Sequence, residues 1–136
     1  MGAYSNDVSR AEALMRAADA LLQALGPSEV ILVLPVPMEQ ANADLGLASP
    51  LVEQLLLSPA VVRKIGSATA TGTRMEVMLP ASIVNALAES RDFDPPNALF
   101  DAALGMLHEG KLLRIEGVAW DSFADRPYLY RIMLTD

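Results

Sequence analysis

His108 is the only histidine, and the chain has no cysteine. A lone imidazole can act as a general base or ligate a metal. Without cysteine there is no thiolate nucleophile, no disulfide and no thiolate metal site. No second histidine stands at helical spacing, so the zinc-protease pattern is excluded. Asp92 and Asp94 form one close carboxylate pair, Asp121 and Asp125 another. Such pairs do acid–base work or hold Ca²⁺. Neither pair falls in an EF-hand loop. Asp94 stands before Pro95 as a helix cap would, and Asp121 and Asp125 are placed as turn residues. Ser49, Ser58 and Ser82 have no Gly-x-Ser-x-Gly around them and read as caps. Gly66 to Thr73 (GSATATGT) suggests a phosphate loop, but Gly72 is one place late for a Walker pattern and no Lys follows it. The segment reads as a mobile connection. His108 reads as a helix-end residue, where the last carbonyls favour a protonated ring.

Trp120, Phe123, Tyr128 and Tyr130 bring four of the seven aromatics close together in sequence. A base-stacking platform needs a basic surround. Here Arg114, Arg126 and Arg131 are interspersed with Glu116, Asp121 and Asp125. Core packing and cross-strand pairing come first as explanations, and a protein-interface anchor second. No catalytic, cofactor-binding or metal-binding residue is assigned.

The elements that would position these residues follow from periodicity. Val8, Ala11, Leu14, Met15, Ala18, Leu21, Leu22 and Leu25 lie on one helical face, and Gly26-Pro27 stops the helix. A helix over 8–25 is expected. Glu29 to Leu34 is apolar throughout and reads as a strand buried on both faces. Residues 35–73 are irregular, punctuated by Pro35, Pro37, Pro50 and Pro59. Ser-Pro pairs at 49–50 and 58–59 allow short helices at 50–57 and 59–65, and extended segments packed along a neighbour fit equally well. Arg74 to Leu79 alternates and predicts a half-buried strand. Residues 81–89 form a short helix, and a second runs from Asp94 to Gly110 with Leu99, Phe100, Ala103, Leu104, Met106 and Leu107 as its apolar stripe. Two closing strands, 111–120 and 127–135, pair as an antiparallel hairpin across Asp121 to Arg126. The order predicts an α+β fold: an antiparallel sheet including a C-terminal hairpin, packed against an N-terminal amphipathic helix and two shorter helices.

The chain has 136 residues, enough for a single domain over 1–136 in which 35–73 is mobile or contacts a partner. Its net charge of -7 argues against nucleic acid and against an anionic membrane surface. The longest apolar run, Val30 to Met38, is far below the ~20 residues that span a bilayer. A basic n-region with an apolar run behind it is missing at the start, so a soluble, intracellular protein is expected. At 52% hydrophobic, so short a chain must leave apolar side chains at its surface, which marks oligomerisation or partner sites.

Three stretches carry a resemblance: LGLASPLVEQLLLSPAVVRK (Leu45 to Lys64), TRMEVMLPASIVNAL (Thr73 to Leu87) and PYLYRIMLTD (Pro127 to Asp136). Together they resemble the small head–tail joining, or neck adaptor, proteins of bacteriophages and prophages in size, element order and flavour. The resemblance implies a ring-forming structural protein between portal and tail with no catalytic residues. It also implies partners among phage structural proteins, and a location in the bacterial cytoplasm during assembly or in the virion.

The expectation is a non-enzymatic structural or assembly protein acting as a homo-oligomer, with no cofactor. The contact residues expected are Val52, Leu55, Leu56, Val61 and Val62, with Tyr128 and Tyr130 second. The alternative is a small acidic bacterial binding module or chaperone-like accessory protein that holds a partner segment in an apolar groove. A carboxylate-based enzyme using Asp92 or Asp121 is the third reading.

Overall fold

In a strand, alternate side chains point to opposite faces, and this sorting builds the core. Along β1 (Ser28–Pro35), Val30, Leu32 and Leu34 are buried together. Val77 and Leu79 of β3 (Arg74–Pro80) and Tyr130, Ile132 and Leu134 of β6 (Arg126–Thr135) continue the same interior. β2 (Val52–Ile65) adds Leu55, Leu57 and Ala60, β4 (Gly105–His108) adds Met106, and β5 (Lys111–Phe123) adds Leu113. The computed structural model describes residues 3–25, 28–35, 52–65 and 74–136, with side chains from residue 9 onward.

The six strands close on themselves in the order β1-β2-β3-β6-β5-β4. Every pairing is antiparallel. β2 and β5 each serve two partners along their length. Residues up to Ala60 of β2 pair with β1, and Val61 to Ile65 pair with β3. Residues up to Leu113 of β5 pair with β4, and the rest pair with β6. A barrel of eight strands is just wide enough for side chains to fill. With six, the buried Leu, Val, Ile and Tyr side chains occupy the interior.

Three helices accompany the barrel. α1 (Ala3–Ala24) lies outside against β2, β3 and β6, burying Ala11 and Leu22. α2 (Ala81–Ser90) and α3 (Ala98–Ala102) lie in the connection from β3 to β4 and send Ala81, Val84, Leu99 and Phe100 into the core. The Ser82 hydroxyl donates to the Asp19 carboxylate at 2.9 Å and ties α1 to α2.

The expected α+β sheet is therefore corrected to a mostly β closed barrel with three helices. Two segments account for the difference. Residues 52–65 are one fourteen-residue strand, which excludes the short helices and agrees with the extended alternative in conformation. Ser58 and Pro59 begin no helix. Pro59 sits at the irregularity where Ser28 pairs Ala60 but Val30 pairs Leu57, a place where a missing N–H breaks no ladder bond. The expected helix from Asp94 to Gly110 is instead a five-residue helix followed by β4. Gly110 (φ 79°) and Glu109 (φ 52°) form the β4–β5 turn and close no helix. Asp94 caps nothing, because α3 begins at Ala98 with Asn97 before it. The C-terminal hairpin is present, with its turn tightened to Ala124 and Asp125, both at positive φ as in I′ turns. The readings of Ser49-Pro50 and Gly66 to Thr73 lie outside the described residues.

Candidate functional site

Among the described residues, those that could do chemistry are not brought together. His108 lies in β4, where a helix end was expected, and its side chain is 12% exposed. Its Nδ1 is buried without a hydrogen-bond partner in the structure, and its Nε2 is 3.8 Å from Glu109. Asp121 accepts from Arg131 Nε at 3.1 Å and Nη2 at 3.0 Å, so it is engaged apart from Asp125 in the turn. Asp92 (φ 59°) and Asp94 are exposed in the connection between α2 and α3. Ser58 is exposed on β2, and Ser82 is bound to Asp19. Among the described residues no group of three His, Asp or Glu could hold a metal ion. None of the described helices is long and apolar enough to cross a membrane.

The residues expected at an interface divide between the two sides of the barrel wall. Leu55 is buried in the core, and so is Tyr130. Val62 packs partly against the core, and Val61 and Tyr128 are half-buried. Val52 and Leu56 are exposed, Leu56 to 56%. Tyr130 has a structural role among rings: its centroid is 6.0 Å from Phe100 and 6.1 Å from Trp120. Burial raises its phenol pKa above the ordinary value.

Strand register assembles a surface that sequence reading missed. Ile31 pairs Leu56 on one side and Leu107 on the other, and Leu107 pairs Leu112. Directly paired residues share a face. The row Leu56–Ile31–Leu107–Leu112 therefore crosses four strands on the outside of the barrel, about 14 Å at the usual strand spacing. Leu56 and Leu112 are more than half exposed, and Ile31 and Leu107 are partly exposed. Leu104, 52% exposed, precedes β4, and its N–H donates to the Val33 carbonyl at 2.8 Å. The continuous apolarity of β1 was the available signal. Burial on both faces holds in large part from Glu29 to Leu34, since Val33 is buried opposite Val30, Leu32 and Leu34, and only Ile31 of the apolar outward residues there is partly exposed.

A chain of charged side chains crosses the other half of the wall. Arg63 contacts Glu76 at 2.8 Å, Glu76 stands 3.8 Å from Arg131, and Arg131 reaches Asp121. These four side chains come from β2, β3, β6 and β5 in turn. α1 lies over part of this half, and between it and β6 runs an apolar groove of about 350 Å³. Leu21 and Leu25, 60% and 57% exposed, line it with Tyr128 and Leu129. A second cleft of about 440 Å³ gathers Asp101, Leu104, Arg114 and the exposed Trp120.

No family model matches the chain, and neither a curated protein nor a solved structure matches it.

Proposed function

We propose that this protein is a non-enzymatic structural subunit that works as a homo-oligomer, of the type that joins head to tail in bacteriophage or prophage particles. The outward row Leu56–Ile31–Leu107–Leu112 carries the reading. An apolar strip across four strands, uncovered by α1, is the kind of surface that marks protein contact. Burying it stabilises an assembly by about 25 cal/mol per Å² before association costs are subtracted. The acidic balance keeps free subunits apart until that contact forms. The head–tail assignment rests on the resemblance of the three sequence stretches. It places the protein in the bacterial cytoplasm during assembly, or in the virion, with phage structural proteins as partners.

The test is solution mass by light scattering after size exclusion, over a hundredfold range of concentration, where mass action exposes a reversible oligomer. A discrete dimer or ring is expected, and a strict monomer throughout removes the homo-oligomer. The head–tail assignment expects portal and tail genes beside this one. Neighbours that all belong to a metabolic or secretion cluster would sink it.

A second reading, a small acidic binding module or chaperone-like accessory protein, draws on the groove between α1 and β6. Its apolar lining with Leu21, Leu25 and Tyr128 suits an apolar partner segment. That reading expects one defined protein to co-purify, and expects Leu21→Asp to release it.

A further inference from the structure

We infer that the outward row is the centre of a two-fold contact between two copies of this chain, closed at each side by Arg114 of one copy and Glu109 of the other. This rests on the homo-oligomer reading and specifies its geometry.

The argument starts from the margins of the row. Two residues beyond Leu112 along β5 stands Arg114, exposed and in no ion pair among the described residues. Just past the end of β4, on the turn side of Leu107, stands Glu109, with its side chain 84% exposed. His108 Nε2 lies 3.8 Å from its carboxylate. β4 and β5 run antiparallel, so these two steps lead to opposite sides of the row. The patch thus has an apolar middle, a cation at one margin and a carboxylate at the other.

A surface of that kind is complementary to itself when turned over. A two-fold axis lying along the row packs one row on its copy and reverses the strand direction. Arg114 of each copy then comes over the β4–β5 turn of the other, one strand from Glu109, within reach of two long side chains. In an isologous contact each pairing occurs twice, so one complementary pair supplies two ion pairs. A two-fold axis along the strands would instead carry Arg114 over the β2 end of the other copy's row, away from Glu109, and would form neither ion pair. For a chain of net charge -7, an apolar contact whose margin neutralises two charges is favoured over one that brings carboxylates together.

The test uses Arg114→Glu and Glu109→Arg, separately and mixed. Alone, each variant places like charges together twice, and about a tenfold or greater weakening of self-association is expected. Mixed in equal amounts, they form both salt pairs, so a heterodimer of wild-type affinity should appear, read by native mass spectrometry of one tagged and one untagged chain. Both side chains are exposed, so thermal melts of the separate variants should match wild type. Where a reversal does perturb the melt, Arg114→Gln and Glu109→Gln replace it, each expected to weaken association alone, with partial rescue on mixing because the heterodimer regains one of the two ion pairs. An oligomeric wild type whose reversals change nothing overturns the contact and leaves the homo-oligomer standing, as does loss in both without rescue. A wild type that is monomeric at every concentration overturns both.

Discussion

Phe100 and Tyr130 meet in the core with ring centroids 6.0 Å apart and planes tilted by 47°. Phe100 comes from a five-residue helix, too short to be stable by propensity, so its burial is what fixes α3 against β6. Phe100→Ala should destabilise the fold by about 3–5 kcal/mol, read as a lower urea midpoint with an unchanged slope. Loss of under 1 kcal/mol would mean that α3 is only laid on the barrel.

Tyr130 also sets a limit at high pH. Its pKa is raised in the folded chain by burial, so the unfolded chain ionises first. Above about pH 10 the unfolded state therefore holds fewer protons, and stability falls as pH rises toward the folded pKa. Below that range the residue adds no slope. Tyr130→Phe should flatten the alkaline arm of a denaturation series between pH 9 and about pH 12. An unchanged arm would assign the alkaline loss to other groups.

Gly105 and Gly117 should respond oppositely to alanine. A Cβ at Gly105 would lie 2.4 Å from the Leu113 carbonyl oxygen, a backbone atom that cannot swing aside. Gly105→Ala must push β4 from β5 and should cost about 1–3 kcal/mol. Gly117, at the irregularity in β5, has nothing within 4 Å of such an atom. Gly117→Ala should stay within about 0.5 kcal/mol in the same melting experiment. Equal effects would mean that the β4–β5 spacing is not what Gly105 protects.

Leu55 and Leu56 are neighbours with separable consequences. Leu55 is 7% exposed in the interior, and Leu56 is 56% exposed on the outward row. Leu55→Asp buries an unpaired carboxylate and should cost about 4 kcal/mol or more, enough to unfold many domains. Val62→Asp, partly against the core, should also act on the fold. Leu56→Asp should leave the melt within about 0.5 kcal/mol and weaken self-association. Association unchanged by Leu56→Asp would remove the row from the assembly surface.

The sequence pattern made the strong elements legible. Met75, Val77 and Leu79 alternated and proved to be strand, and the two closing strands paired as a hairpin. The stripe from Leu99 to Leu107 was ambiguous for a physical reason. Leu99 and Phe100 are buried from a helix, whereas Met106 and Leu107 stand on opposite faces of a strand, yet the spacing satisfies both periods. Pro59 concealed β2, because proline usually argues against a central strand and only the long-range irregularity opposite Ser28 and Val30 admits it. The outward row was legible only as apolar content. Its assembly from β2, β1, β4 and β5 depends on registers between segments far apart in the chain, and no local pattern encodes those.

Closure has a consequence for how this protein can combine with others. At Ile31 to Val33, β1 is paired on both flanks, so that stretch offers no open edge for another strand to extend. Ladder growth and capture of an extended peptide by strand addition are both denied at that stretch of the wall. There, association is left to side chains on the outer face, where one substitution can alter partner choice without touching the hydrogen bonds that hold the wall together.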